Sequence, residues 1–146
     1  MLYVITGPPA GGKSSWIEAR AKPTDVVIDL DRITLALAGP GAPRWTQDEV
    51  LVRVAQRARF AALEEAIKLR DRVDVYLIHT MPGARARARY EALGARIVVV
   101  DPGQDVVMQR VRDMRAQALV SVVTRWYRQH EREPARSVTR QSSRQW

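Results

Sequence analysis

The octapeptide Gly7-Pro8-Pro9-Ala10-Gly11-Gly12-Lys13-Ser14 limits the fold more than any other feature of the chain. It follows directly on the apolar run Leu2-Tyr3-Val4-Ile5-Thr6 and carries the spacing G-x-x-x-x-G-K-[ST]. In that spacing glycines let the backbone curl so that its N–H groups point inward around an anion, at a helix start whose dipole also favours negative charge. The lysine supplies a cation for the β and γ phosphates of a nucleotide, and the following hydroxyl is a magnesium ligand. The motif needs a buried strand before it and a helix after it, and both flanks qualify. ATP and magnesium are therefore the expected ligands. The phosphate-binding set is Gly7, Pro8, Pro9, Ala10, Gly11, Gly12, Lys13, Ser14 and Ser15, with Ser14 on the metal and Lys13 also catalytic.

The rest of the chain alternates in the same way. Ser14 to Ala21 reads as a helix stopped by Pro23, and Asp25 to Leu30 as a second strand. A short helix is expected from Asp31, capped by Asp31 itself, until Gly39-Pro40-Gly41 breaks it. Thr46-Gln47-Asp48-Glu49 has the form of a capping box opening a long helix to about Arg70. Its apolar positions Val50, Val54, Ala58, Ala61, Ala62, Ala66 and Leu69 define the face expected to pack on the sheet. Asp74 to His79 and Ala95 to Asp101 read as the third and fourth strands, separated by a helix bearing Arg85, Arg87 and Arg89. Two further helices are expected, about Asp105 to Ala118 and Val120 to Glu131. The fold class is thus α/β: a single-domain P-loop NTPase fold with a parallel sheet of about four strands, helices on both faces and a C-terminal helical lid. Residues 1–131 form the domain and residues 132–146 a basic tail expected to be mobile.

Composition narrows the function. At 146 residues the chain is one domain, and no apolar run reaches the roughly 20 residues of a membrane span. The N-terminal segment has no basic n-region and runs straight into the glycine loop, so a cytoplasmic location is expected. The absence of cysteine excludes disulfides, thiolate metal sites and cysteine nucleophiles. A formal charge of +8 favours anionic partners, nucleotides or nucleic acid among them. The positive charges are scattered instead of forming one block, and arginine far outnumbers lysine, as GC-rich coding also produces. A GTPase would bring an N-K-x-D element, and the lysines, at 13, 22 and 68, stand in no such setting. AAA-type and helicase ATPases are set aside because they need a longer core with a sensor and an arginine finger. A small kinase remains.

Three segments carry a resemblance: the loop GPPAGGKSSW, the segment VIDLDRI, and VVVDPGQDVVMQRVRDMRA followed by VVTRWYRQ. From Leu2 to about Arg128 the chain resembles small P-loop kinases typified by the 5′-kinase domain of phage polynucleotide kinase, and the short phage-encoded ATPases related to it. The resemblance implies that Asp31 takes the proton from an acceptor hydroxyl. It also implies that the segment holding Arg110, Arg112 and Arg115 is an arginine-bearing lid. Arg112 and Arg115, three apart on one helix face, are the pair chosen to steady the transferred phosphoryl group. Arg32, His79 and Thr80 join Asp31 as candidate acceptor contacts. The family has an arginine where this chain has Thr34, and an aspartate-threonine pair where it has His79-Thr80. Asp29 is a second carboxylate that can hold a magnesium-bound water, and Asp101 reads as a turn former before Pro102-Gly103 rather than as a metal-site carboxylate. Trp126 and Tyr127 are expected to pack the closing helix.

Three activities fit these residues. The first is transfer of the γ phosphate of ATP to a hydroxyl on a polynucleotide 5′ end or a nucleoside-like acceptor. The second is a nucleoside monophosphate kinase, which wants a fixed arginine for the acceptor phosphate, a part that Arg53, Arg57 or Arg59 can play. The third is a regulatory nucleotide-binding module. Oligomeric state is not legible.

Overall fold

The structure, a computed structural model, describes residues 1–43, 48–114 and 116–131 and the backbone of Thr139–Gln141. Four strands appear where the sequence places them: β1 (Leu2–Thr6), β2 (Val26–Ile28), β3 (Val75–Ile78) and β4 (Arg96–Val100). A fifth, β5 (Thr139–Gln141), lies within residues 132–146, the basic tail of the sequence reading. Its physical reason is the free edge of β4, whose unpaired backbone groups take up β5 in register Val98↔Thr139 to Val100↔Gln141. All pairings are parallel, in the order β2-β3-β1-β4-β5. This is an α/β domain of the P-loop NTPase kind.

Side-chain alternation along the strands builds two cores. Leu2, Val4, Ile28, Val75 and Leu77 face one way, against Leu63, Ala66 and Ile67 of α3 (Glu49–Lys68) and Tyr90 of α4 (Ala84–Ala92). Ile5, Tyr76, Val98 and Val100 face the other way, against Trp16 and Ile17 of α1 (Lys13–Glu18). Both faces are therefore covered, as parallel strands require. A third cluster joins Val107 and Val111 of α5 (Gln104–Asp113) to Val123 of α6 (Gln117–Glu131), with Ala10 of the phosphate loop packed against it.

Two local expectations change. The buried stripe of α3 is Ala55, Leu63, Ala66 and Ile67, whereas Val50 and Val54 are 71% and 51% exposed and Leu69 is also outside. Of the face expected from the sequence, Ala66 is the one member buried. Leucine and isoleucine four apart bury more surface than the scattered valines and alanines, so they decide which side faces the sheet. The cap of α3 is Asp48, whose carboxylate accepts from Leu51 N at 2.9 Å; Thr46 of the expected capping box lies outside the described residues.

These assignments predict opposite outcomes for two truncations on one helix. Leu63→Ala should lower unfolding free energy by about 2–5 kcal/mol, and Val54→Ala by no more than about 0.5 kcal/mol. Denaturant melts of the two variants check the face assignment, and equal losses would overturn it.

Candidate active site

The loop between β1 and α1 lies at the C-terminal ends of the strands, where open parallel sheets bind ligands. Its shape follows from crowding. Gly7 has φ +140°, and a Cβ there would stand 2.1 Å from the Val100 carbonyl oxygen of the neighbouring strand. A Cβ on Gly11 would stand 2.8 Å from Pro8 O and 3.0 Å from Val100 O. Gly11 N donates to Pro8 O at 3.0 Å, and Ala10 takes φ 57°, unusual for a residue with a side chain. Gly12, at φ 93°, caps α1.

Lys13 opens α1 and is buried, with its ammonium donating to Gly7 O at 3.0 Å and Pro8 O at 2.7 Å. Burial pulls its pKa down to about 8, opposed by the nearby carboxylates of Asp29 and Asp31. Ser14 and Ser15, in the first turn of the same helix, are exposed to solvent. The Ser14 hydroxyl thus stands beside the lysine and open to an ion, which fits magnesium. Among the described residues no group of three or more histidines or carboxylates can hold a metal, so such an ion would rely on Ser14 and on phosphate oxygens.

Beyond β2 the chain enters α2 (Leu30–Leu37), and the cap is Asp29, not Asp31: the buried Asp29 carboxylate accepts from Asp31 N at 3.0 Å. The extended backbone of Asp29, continuing the strand, puts the capping oxygen over the first helical N–H groups, so the cap falls two residues earlier than expected. Asp31 is thereby released from capping and stands on the first turn, exposed. Crowding by surrounding protein raises its pKa first, and the Asp29 carboxylate raises it further, while Lys13 lowers it. Arg32 beside it is exposed. Thr34 is buried with its hydroxyl on Leu30 O at 2.7 Å. A cleft of about 580 Å³ between α2 and α3 is lined by Asp31, Thr34, Glu49, Arg53 and Gln56, with Leu30 and Val52 as its apolar part. It brings Asp31 together with Arg53, a pairing the sequence did not show.

At the end of β3, His79 shares a hydrogen bond of 2.8 Å between Nδ1 and the Tyr90 hydroxyl. Burial and then the charge of Arg59 lower its pKa to about 4, so it is neutral at ordinary pH. The Thr80 carbonyl accepts from Trp126 Nε1 at 3.1 Å. Asp101 holds the turn after β4, its Oδ1 accepting from Gly103 N at 3.0 Å and from the Tyr127 hydroxyl at 2.5 Å.

Of the two arginines of α5, the one at the loop is Arg110, whose Nη1 donates to Ala10 O at 3.0 Å. Its signal was present in the sequence. Arg110 stands three residues after Val107 and one before Val111, flanking the buried stripe. Arg112 is exposed at the last turn of α5, and Arg115 lies outside the described residues.

A family model described as an AAA domain matches residues 2–133. The chain belongs to that family. The argument from length against AAA-type ATPases is corrected to this extent, since an AAA domain of this family is accommodated within residues 2–133. The domain is also similar to dephospho-CoA kinase of Chromobacterium violaceum, at 33% identity, with 73% of this chain and 67% of the relative covered. Family and relative together make this AAA domain a small P-loop kinase-like protein, for which ATP is the implied nucleotide and magnesium its usual companion. No helix among its described residues is long and apolar enough to cross a membrane.

The buried lysine sets a stability test. Folding lowers its pKa from 10.5 to about 8, so the folded state binds fewer protons than the unfolded one. Its charge is destabilising in full below about pH 8, and the cost fades as pH rises toward 10.5. Lys13→Met should therefore be more stable than the wild type by about 1–3 kcal/mol near pH 7, with the gap closing by pH 10 and nucleotide binding lost throughout. Chemical denaturation across that range, with a nucleotide-binding assay, checks both halves.

Proposed function

We propose that the protein transfers the γ phosphate of ATP to a hydroxyl of a nucleotide-like acceptor seated in the cleft between α2 and α3, with Asp31 as the proton acceptor. The observation that carries this reading is the placement of one ionisable carboxylate at both places at once. Asp31 lines the cleft, and it lies close enough to the phosphate-loop lysine for each to shift the other's pKa. An acceptor hydroxyl in the cleft would then face both the base and the transferred phosphoryl group. Little covalent chemistry is asked of the protein in such a transfer; positioning and charge neutralisation do most of it.

In this reading the loop N–H groups and Lys13 hold the phosphates of ATP, and Ser14 would hold magnesium. The ion supplies neutralisation of charge on the phosphate oxygens when bound. Asp29, buried and capping α2, fixes the turn that presents Asp31. Arg110 steadies the loop through Ala10 O, while Arg112, at the last turn of α5, and Arg115 are proposed to steady the migrating phosphoryl group. Arg32, His79 and Thr80 are proposed to border the acceptor. The similar protein is a dephospho-CoA kinase, which supports a kinase reading, and a cleft of about 580 Å³ suits a small-molecule acceptor.

A polynucleotide 5′ end is the second reading, favoured by the charge of +8. Contacts to backbone phosphates would make transfer to an oligonucleotide fall with salt much more steeply than transfer to a mononucleotide. Equal salt responses would leave the small acceptor alone.

Asp31→Asn should keep ATP affinity and lower transfer by about 10²–10⁴. The wild-type rate should fall as pH drops through the raised pKa of Asp31, where the base becomes protonated. Asp29→Ala, which removes the capping oxygen, should instead cost stability of about 1 kcal/mol through the cap. Radiolabelled ATP assays against a nucleoside and nucleotide panel, paired with thermal melts, separate the two carboxylates. Undiminished transfer by Asp31→Asn would remove Asp31 from the chemistry.

A further inference from the structure

Glycines aside, Ala10 is the one residue among those described with a positive φ, at 57°. A side chain makes that region unfavourable where glycine would enter it freely, and a residue stays there only when its surroundings hold it. Contacts from the α5–α6 hairpin hold this one. Ala10 packs against the cluster of Val107, Val111 and Val123, and its carbonyl accepts from Arg110 Nη1 at 3.0 Å. The hairpin is in turn tied to two strand ends. Beyond β3, Thr80 O accepts from Trp126 Nε1 at 3.1 Å. Beyond β4, Asp101 Oδ1 accepts from the Tyr127 hydroxyl of α6 and also from the N–H of Gly103, the residue that caps α5. Tyr127 thus fixes the turn from which α5 starts, and α5 carries Arg110 to the loop. With glycine at position 10 the loop could take its shape unaided. Alanine makes that shape depend on the hairpin.

We propose that the α5–α6 hairpin sets the nucleotide affinity of the phosphate loop through Ala10, with Arg110 and Tyr127 as positioning residues. This rests on the reading of the loop as the ATP site. Arg110 acts through Ala10 O, and Tyr127 acts through Asp101 and the start of α5, so neither has to touch the nucleotide. Together they keep Ala10 in the conformation that turns the loop N–H groups toward the phosphates. The coupling is reciprocal: a nucleotide that favours this loop shape also tightens the hairpin.

The test titrates the full chain calorimetrically with magnesium and an ATP analogue that cannot transfer, in wild type, Arg110→Met, Ala10→Gly and the double variant. Arg110→Met should weaken affinity about tenfold. In the Ala10→Gly background, where position 10 needs no support, the same substitution should cost no more than about threefold. Tyr127→Phe, which keeps the ring and removes the hydroxyl, should also weaken binding, and non-additively with Arg110→Met. Equal costs of Arg110→Met in the two backgrounds would overturn the proposal, since Arg110 would then act on the nucleotide directly or through stability alone. So would unaltered affinity in Tyr127→Phe. A second readout uses the wild type and depends on no variant folding. On binding the analogue, amide exchange at Val107, Val111 and Val123 should slow by a larger factor than in α4, which packs on the other face of the sheet. Equal slowing in α4, or none in the hairpin, would sever the hairpin from the loop. Absence of any analogue binding by the wild type would sink the reading of the loop as the ATP site, and this proposal with it; the other adverse results leave that reading standing.

Discussion

The Val100 carbonyl oxygen occupies the space that a side chain on residue 7 would need, and the site is arranged around that contact. The β1–β4 pairing brings the end of β4 against the start of the loop, and only glycine at positions 7 and 11 lets the backbone turn there. Because the loop turns at that point, its carbonyls fold back over the Lys13 ammonium and its N–H groups are free to face an anion. Further along β4, Asp101 closes the next turn and is itself held by Tyr127 of α6. Strand end, loop and closing helix are thus fixed relative to one another by one short stretch of chain.

Electrostatics adds a second constraint. A lysine buried at the loop is unfavourable by itself, and the two carboxylates after β2 are what offset the loss of its hydration. The pKa of Asp31 is raised in turn, first by partial burial and then by its neighbour Asp29, while Lys13 opposes both. Lys13 and Asp31, on two different elements, therefore share one field, and each biases the protonation of the other. Coupling of this kind is common where a protein handles phosphate and protons together.

The sequence made the architecture legible because it rests on strong local signals. The glycine loop, the β-branched runs at Val26-Val27-Ile28 and Ile97-Val98-Val99-Val100, and the proline breaks each act over a few residues. What stayed hidden depends on competition or on distance. The packing face of α3 was misread because two apolar stripes compete, and the larger side chains of Leu63 and Ile67 win. The cap of α2 was misplaced by two residues because Asp29 and Asp31 are both competent, and only the direction of the strand chooses between them. The contact of Arg110 with Ala10 O spans 100 residues, and that of Arg59 with Ile78 O crosses from a helix to a strand end. The fifth strand could not be read from Thr139-Arg140-Gln141, which is polar and joins the sheet through backbone groups that carry no residue signature.

The register of β1 has a consequence for how the chain acquires its structure. Its strand partners are Val75–Ile78 on one side and Arg96–Val100 on the other, both far along the chain, and Met1 closes against Asp74. The central strand of the sheet is thus made before either neighbour exists. During synthesis Leu2, Val4 and Ile5 must wait with their apolar surface uncovered, and the carbonyl that shapes the loop arrives only with Val100. Pairings of such long sequence separation are slow to form and leave nascent chains exposed to association. The phosphate loop therefore lacks the contact that shapes it until β4 has joined the sheet.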